Sequence, residues 1–268
     1  MRRINFFIGV VVVLLAVVFL VFLFSPKGKV KESPKVSKHE LIKQAEQALA
    51  ENEPVKAKTF YRQVMAEIED VQLLEKIRRQ IETINIDIIF SKTLDDCSII
   101  YEVQANDMLV KIAKRFGTTV NLIKRANALD SDIIHPGDKL KVNTCKFFVV
   151  VDKSQNRLYL QRGNEVIKTY IVSTGKDNSS PVGDFTVVNK LQNPTWFKTG
   201  AVIPPNSEEN ILGTRWIGIE AKGYGIHGTN DPANLGKQVT LGCVRMENKE
   251  VEELYDIIPV GSEVTIVD

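Results

Sequence analysis

A cysteine and a histidine near the C-terminal end of the chain have the types and the setting needed for carbonyl chemistry. His227 and Cys243 are sixteen residues apart, and each lies beside a glycine. A free thiol is only a few per cent ionised at neutral pH, so Cys243 needs a base, and His227 can take its proton. The amides of Gly242 and Cys243 are then expected to face the oxyanion, where one donor is typically worth about 3–4 kcal/mol. Arg245 is placed to hold a carboxylate or to brace the loop.

Both segments resemble the active-site motif of the L,D-transpeptidases with a YkuD-type catalytic domain. In that family HGT is followed, after a spacer, by S/T-x-G-C-x-R, as it is here from His227 to Arg245. The chain departs from many relatives at Leu241, where they carry a histidine. The resemblance covers roughly residues 146–268 and includes four further segments: Ser173–Lys176, Pro181–Phe185, Asn193–Phe197 and Asn210–Trp216. It implies a mainly-β catalytic domain, which we expect to be a sandwich with one helix, Glu247–Ile258, near the site.

The resemblance implies acyl transfer on the stem peptides of peptidoglycan. His227, oriented by the carbonyl of Gly228, would deprotonate Cys243, and the thiolate would form a thioester as the terminal D-Ala leaves. An amine of a second stem would then give a 3→3 crosslink, and a free D-amino acid would give exchange of the terminal D-Ala. With water as acceptor the same domain is an L,D-carboxypeptidase. A non-catalytic peptidoglycan-binding scaffold is a third reading.

A second group of residues is expected near the bound stem peptide. The candidates for substrate contacts are Arg245, Trp196, Phe197, Thr240 and Arg215, and Trp216 belongs with them. The aromatic residues among them could equally belong to the core. Asp231, which precedes a proline, is interpreted as a turn residue rather than as a carboxylate partner of His227.

Upstream of the catalytic segment, residues 97–145 have the pattern β-α-α-β. This segment resembles a LysM domain, a module that binds glycans containing N-acetylglucosamine, such as peptidoglycan. Asn106 stands where the family usually has a glycine, and asparagine also tolerates the left-handed conformation. The resemblance places the glycan groove between the loop after the first strand and the loop before the second. The residues there are Asp107, Met108, Leu109, Ile133, Ile134 and His135.

Two cysteines flank this module. Paired antiparallel strands have a constant index sum; Tyr101 with Val142 gives 243, and Cys97 with Cys145 gives 242. We therefore predict a disulfide, with two unrelated buried thiols as the alternative. A bridge would leave Cys243 as the free thiol and would indicate an oxidising compartment outside the cytoplasm. The spacing of the three histidines and three cysteines predicts no metal site, and no cofactor is expected.

The first hundred residues contain an apolar run and a helical segment. Ile4–Phe24 carries no charge and is long enough to cross a bilayer, so we expect a signal-anchor in residues 1–25, with a cleaved signal peptide as the alternative. The lysines of the linker, residues 26–37, favour a cytoplasmic location for the domains C-terminal to it. Long domains translocate largely regardless of charge, so we expect the catalytic domain outside, at the cell envelope.

Residues 38–92 show three helical apolar faces and resemble a single tetratricopeptide-type repeat. A helical spacer or dimerising stalk and a partner-binding module are the two interpretations. The 35 basic and 33 acidic residues nearly cancel, so charge indicates no nucleic-acid partner. The chain is thus predicted to be multidomain: an α-helical N-terminal segment, a β-α-α-β LysM module and a mainly-β L,D-transpeptidase catalytic domain. Its expected partners are peptidoglycan stem peptides and glycan strands, together with the membrane.

Overall fold

Three helices form the first part of the chain that the computed structural model describes, which comprises residues 37–205 and 207–268. They are α1 (Lys38–Ala50), α2 (Pro54–Met65) and α3 (Val71–Phe90). Asp70 caps α3 by accepting hydrogen bonds from the backbone of Gln72 and Leu73. Most positions on the predicted apolar faces are buried: Leu41, Ala45 and Ala48; Ala57, Tyr61 and Val64; Ile77, Ile81, Ile84 and Ile88. The predicted positions Ile68 and Leu74 are only half-buried.

The predicted anchor, Ile4–Phe24, and almost all of the linker lie outside the described residues. Within the described part, none of the helices has the length and apolar character needed to cross a bilayer.

The third helix packs against the catalytic part of the chain. The amide of Asn85 donates to the carbonyl of Ile167 at 3.0 Å, and Glu82 accepts from Thr169 at 2.7 Å. Lys58 of α2 forms an ion pair with Glu165 at 2.7 Å. Two of the three helices thus hold the catalytic sheet, so this segment is not a separate spacer, and a dimerising role stays a prediction. The tetratricopeptide resemblance and a protein partner stay predictions.

The next unit has the predicted β-α-α-β order. Its elements are β1 (Ser98–Glu102), α4 (Leu109–Phe116), α5 (Val120–Asn127) and β2 (Lys139–Asn143). The two strands pair antiparallel, with Tyr101 opposite Leu140 rather than opposite Val142. A shift of two residues keeps each side chain on its face of the sheet, which is why alternation alone could not fix the register.

The disulfide between Cys97 and Cys145 is present, with a Cα–Cα distance of 5.1 Å. Continuing the observed register places Cys97 opposite Thr144, whose amide donates to the carbonyl of Cys97 at 2.9 Å. The bridge therefore joins residues that are offset by one position. Cys243 is the free cysteine of the described chain.

The remaining residues form the catalytic part. Its strands are β3 (Phe148–Asp152), β4 (Arg157–Arg162), β5 (Glu165–Gly175), β6 (Gly183–Gln192), β7 (Trp196–Lys198), β8 (Ala201–Ile203), β9 (Arg215–Ile219), β10 (Gly225–His227), β11 (Gln238–Thr240), β12 (Val244–Met246) and β13 (Glu263–Val267). One helix, α6 (Asn248–Ile257), follows β12. It buries Val251 and Leu254, as its amphipathic pattern predicts, together with Ile257.

Eight strands close into a barrel-like sheet instead of the sandwich that the sequence led us to expect. The order is β5-β12-β10-β9-β6-β13-β3-β4, and β4 pairs back onto β5. Closure is possible because β5 changes partner along its length: residues up to Ile171 pair with β4, and Val172 and Ser173 pair with β12. The segment expected to be a long loop, residues 193–213, contains the β7–β8 hairpin.

One aspartate of α6 fastens the LysM unit to the catalytic part. Asp256 accepts hydrogen bonds from Asn121 at 2.6 Å and Arg125 at 2.9 Å, and its carbonyl accepts from Thr119. From the other side, buried Lys141 of β2 donates to the carbonyls of Ile88, near the end of α3, and Ser91, just beyond it. Residues 38–268 cluster as one unit.

Replacing Cys97 and Cys145 together by alanine is expected to lower the free energy of unfolding by about 2–4 kcal/mol, because the unfolded chain gains the freedom of a loop of about fifty residues. Urea denaturation without reductant measures this change. Cys243→Ala, which leaves the bridge intact, is the control. Equal stability of the double variant and the parent would contradict the prediction.

Candidate active site

Two very short parallel strands bring the histidine and the cysteine together. In the β10–β12 pair His227 lies opposite Arg245 and Ile226 lies opposite Val244. Cys243 precedes β12 and is two positions from Arg245, so it faces the same side of the sheet as His227. Both side chains line one cavity of about 640 Å³. The structure therefore places the two predicted reactive groups in a common site.

His227 is held as a neutral imidazole in a defined orientation. Its side chain is 2% exposed, and Nδ1 lies 2.7 Å from the carbonyl oxygen of Gly228. A carbonyl only accepts, so Nδ1 carries the hydrogen and Nε2 keeps a free lone pair. The ring of Trp216 stacks on the imidazole with centroids 5.8 Å apart. Burial lowers the pKa of His227 to about 4, with Arg245 acting in the same direction and the Gly228 hydrogen bond opposing it.

Cys243 is half-buried in the same cavity. Burial raises the pKa of Cys243 above its ordinary value, although a backbone hydrogen bond from Gly225 and the charge of Arg245 act the other way. Sγ lies 3.8 Å from the carbonyl oxygen of Gly223. Among the described residues, no hydrogen bond joins Sγ to the His227 ring. The pKa directions of the two groups therefore favour a neutral thiol and a neutral imidazole over a thiolate–imidazolium pair.

The loop before Cys243 is braced by hydroxyl groups. Thr240 Oγ1 accepts from the amide of Gly242 at 3.1 Å and donates to the carbonyl of Cys243 at 2.6 Å. Ser180 Oγ donates to the carbonyl of Gly242 at 2.8 Å. The expectation of an unoccupied Gly242 amide is wrong here, because the nearby hydroxyl satisfies it. Thr240, expected to contact substrate, lines the cavity and also braces this loop.

Gly242 is required by the geometry of that loop. Its φ is +126°, a conformation that other residues rarely adopt. A Cβ atom there would lie 2.4 Å from the Tyr224 ring and 3.0 Å from the carbonyl oxygen of Ser179. The chain thus passes closer to Tyr224 than any side chain would allow.

Most of the predicted substrate-contact residues reach the cavity, and one does not. Trp196, Phe197, Trp216, Thr240 and Arg245 line it together with Leu191, Tyr224, Val239 and Leu241.

Arg215 points the other way. It lies over the ring of Tyr255 at 5.5 Å and 3.8 Å from a carboxylate oxygen of Glu252. Successive side chains of a strand face opposite sides, so Trp216 faces the cavity and Arg215 faces α6. The prediction that Arg215 contacts substrate is therefore wrong for this arrangement.

Asp231 lies at the start of a turn, as the sequence indicated. It accepts from Asn234 at 2.7 Å and lies 4.0 Å from the guanidinium of Arg245. The imidazole of His227 is thus oriented by a backbone carbonyl rather than by Asp231. Asp231 instead lies near Arg245.

Sequence reasoning missed three residues that shape the site: Ser180, Tyr224 and Asn248. Ser180 directly precedes the Pro181–Phe185 motif segment, and Asn248 stands where the predicted helix begins, a place where asparagine often bonds to backbone. These signals were available in the sequence. Tyr224 directly precedes Gly225, and only the fold shows that its ring contacts the Gly242 loop.

The LysM unit has a smaller cavity, of about 240 Å³, at the predicted groove. It is lined by Asp107, Met108, Leu109, Ile133 and Ile134, together with Val110, Val120 and Asp132. Met108 and Ile133 are 53% and 71% exposed, whereas Leu109 is buried in the core of the unit. The carboxylate of Asp107 accepts from Tyr101 and from the amide of Gln104, so it braces the loop. His135 is not among the lining residues and lies 3.8 Å from Asp138.

The segments that contain the two cavities match two known protein families. Residues 146–266 match the L,D-transpeptidase catalytic domain family, YkuD, and residues 101–143 match the LysM domain family. The chain is 46% identical over 127 residues to "Putative L,D-transpeptidase YqjB" of Bacillus subtilis, a match that covers 45% of this chain and 71% of that protein. It is 32% identical over 173 residues to "Putative L,D-transpeptidase YkuD" of the same organism, covering 62% and 97%.

The solved structures are more distant. A crystal structure of an L,D-transpeptidase from Mycobacterium tuberculosis H37Rv superposes with a TM-score of 0.39 and 17% identity, over 48% of this chain and 62% of that one. That similarity is too partial to support an argument. The sequence matches define a multidomain protein in which a LysM domain precedes a YkuD catalytic domain. The chain belongs to the L,D-transpeptidase family, and it is an enzyme of that class.

Alkylation of Cys243 by iodoacetamide is expected to accelerate with pH through neutrality and beyond pH 8. A thiol with a raised pKa is ionised only above that pKa, and His227 becomes cationic only below about pH 4. His227→Gln should therefore leave the profile unchanged within about threefold. Intact mass spectrometry against pH measures the rates. A plateau between pH 5 and 8 that disappears in His227→Gln would instead reveal a thiolate–imidazolium pair.

Proposed function

We propose that this L,D-transpeptidase forms 3→3 crosslinks between peptidoglycan stem peptides through a thioester on Cys243. The observation that carries the proposal is the shared cavity, which is lined both by a free thiol and by an imidazole whose Nδ1 is already satisfied by the Gly228 carbonyl. Such an imidazole has one free position, Nε2, and that position can only accept a proton.

In the first half-reaction the sulfur attacks the carbonyl of the third residue of a tetrapeptide stem while Nε2 of His227 takes the thiol proton. The oxyanion receives a hydrogen bond from the amide of Cys243, since the amide of Gly242 is engaged by Thr240. The carbon–nitrogen bond to the terminal D-Ala then breaks, and the leaving amine takes the proton from His227. The products are a thioester on Cys243 and free D-Ala.

In the second half-reaction the side-chain amine of another stem attacks the thioester. Neutral His227 accepts a proton from that amine, and the sulfur of Cys243 leaves as the new amide forms and regains its proton. A free D-amino acid as acceptor gives exchange, and water gives the carboxypeptidase reaction.

The neutral resting pair suits this sequence of steps. Burying a charged pair would cost several kcal/mol per ion before any substrate arrived. A neutral thiol and imidazole avoid that cost, and charge develops only when the substrate carbonyl accepts the sulfur. The resting pKa directions of the two groups therefore favour proton transfer that accompanies attack rather than precedes it.

We propose that the LysM unit binds the glycan strand through the cavity that contains Met108 and Ile133. Asp256 and Lys141 fasten this unit to the rest of the chain, so a bound strand would have a defined direction relative to Cys243. The proposal includes the signal-anchor at Ile4–Phe24, with the catalytic part outside the cytoplasm at the cell envelope. The disulfide between Cys97 and Cys145 supports that location.

The crosslinking activity is tested with the full chain and a purified disaccharide-tetrapeptide, with products identified by mass spectrometry. We expect 3→3 dimers and released D-Ala, and Cys243→Ala should abolish both. His227→Ala should reduce the rate by about 10²–10⁴-fold. A carbapenem should add one mass increment to the parent chain and none to Cys243→Ala.

The alternative outcomes are distinct. Trimmed tripeptides without dimers or exchange products would make the protein an L,D-carboxypeptidase. A Cys243→Ala protein that retained every activity would leave only a glycan-binding scaffold.

Glycan binding is tested with insoluble peptidoglycan in the Cys243→Ala background, so that no stem is consumed. Ile133→Ser removes an exposed apolar side chain from the LysM cavity and should weaken binding by about tenfold, as expected when part of an isoleucine's burial energy is lost. Ile100→Ser, at a position that is 51% exposed in the same unit but away from the cavity, is the matched control. Equal binding by both variants would place the glycan site elsewhere.

A further inference from the structure

Asn248 joins two loops at the back of the active site. It is the first residue of α6, and its Oδ1 accepts from the amides of Thr214 at 3.2 Å and Thr229 at 3.0 Å. Its Nδ2 donates to the carbonyl of Thr229 at 2.8 Å. Two of these hydrogen bonds hold the backbone of Thr229, just after His227, and the third holds the Thr214 loop beside it.

Two glycines make room for this amide. A Cβ atom at Gly213 would lie 2.2 Å from Oδ1 of Asn248, and one at Gly228 would lie 2.1 Å from it. Gly213 has a φ of +63°, in the left-handed region, so a side chain there would also strain the backbone. A side chain at either glycine would collide with the Asn248 amide. The two glycines therefore form a specific site for that amide.

The peptide unit between Gly228 and Thr229 links Asn248 to the imidazole. Its carbonyl lies 2.7 Å from Nδ1 of His227, and its N–H donates to Oδ1 of Asn248. A trans peptide is planar, and its C=O and N–H point in opposite directions. The bond to Asn248 on one side therefore sets the direction of the carbonyl on the other.

We infer that Asn248 is a positioning residue for His227: through the Gly228–Thr229 peptide it keeps the imidazole hydrogen on Nδ1 and leaves Nε2 free toward Cys243. The inference rests on the proposed function, in which His227 is the base. In a Ser-His-Asp triad a carboxylate orients the imidazole. Here the Gly228–Thr229 peptide, held by the Asn248 side chain, would orient it.

The other contacts of the imidazole do not perform this task. Trp216 stacks on the ring and so fixes its plane, but stacking does not distinguish the two nitrogens. The amide of Gly228 donates to the carbonyl of Arg215 at 3.2 Å, which anchors the preceding peptide unit rather than the one that contacts Nδ1. Asp231 is directed to Asn234 and Arg245. Control of the tautomer thus falls to the peptide that Asn248 holds.

The test compares Asn248→Ala and Asn248→Asp with the parent. Asn248→Ala releases the peptide, so the first-order rate of Cys243 acylation should fall by about 10–100-fold, the scale expected for a misplaced catalytic group, with the donor KM within about twofold. Asn248→Asp keeps the acceptor for both amides but places a carboxylate oxygen against the Thr229 carbonyl, so its loss should be smaller. ¹H–¹⁵N correlation spectra of the His227 ring should show Nδ1–H in the parent and a tautomer mixture in Asn248→Ala.

Asn85→Ala is the matched control, because it removes a buried asparagine hydrogen bond from the α3 interface, away from the cavity. It should keep the parent acylation rate and the Nδ1–H tautomer even if its thermal stability falls as far as that of Asn248→Ala. Parent-like acylation and tautomer in both Asn248 variants would overturn the inference, and so would losses that merely track stability in all three. If Asn248→Ala does not fold, Asn248→Asp decides by the same two readouts. A parent chain whose Cys243 is not acylated would refute the proposed function, and the spectra would still test the role of Asn248.

Discussion

The parallel pairing of β10 with β12 is the constraint on which the site depends. Each strand has three residues, too few to be stable alone, and each is held by a second neighbour, β9 or β5. Ile226, Val244 and Met246 point into the barrel core and are buried. The alternate positions then face the cavity, and these carry the histidine and, one step before β12, the cysteine. Closure of the sheet therefore sets the separation of the two reactive groups.

Closure also determines the electrostatics of the site. His227 is buried and Cys243 is half-buried, and burial shifts the pKa of each group toward its neutral form. Neutral groups are cheap to bury, whereas an isolated charge is not. Arg245, a cation at this cavity, lies 4.0 Å from the carboxylate of Asp231. The protein can thus keep a nucleophile and a base enclosed without an ion pair, and it reserves charge separation for the substrate.

The features that the sequence predicts well are those encoded in local periodicity or in motifs. Most positions of the helical faces, the β-α-α-β unit and the disulfide belong here. The failures depend on long-range geometry: β5 exchanges one partner for another, which no alternation pattern reveals, and so the sheet closes instead of forming a sandwich. Successive side chains of β9 face opposite sides, and it is Trp216, rather than Arg215, that faces the cavity. The Gly242 amide donates to the hydroxyl of Thr240 instead of staying free for the oxyanion, and residue spacing cannot show which acceptor an amide meets.

The contacts of Lys141 explain why the three parts of the chain behave as one unit. The last carbonyls of a helix lack partners within the helix, and a cation there also interacts favourably with the helix dipole. Lys141 belongs to the LysM strand β2, yet it satisfies carbonyls at the end of α3, and Arg125 and Asn121 of α5 bind Asp256 near the end of α6. The LysM unit thus fastens the ends of two helices that themselves pack on the barrel. Separating it would break the hydrogen bonds of Lys141 to the Ile88 and Ser91 carbonyls and those of Asn121 and Arg125 to Asp256. In the proposed function, a glycan strand bound to this unit could not swing freely, and only stems that project toward the cavity would reach Cys243.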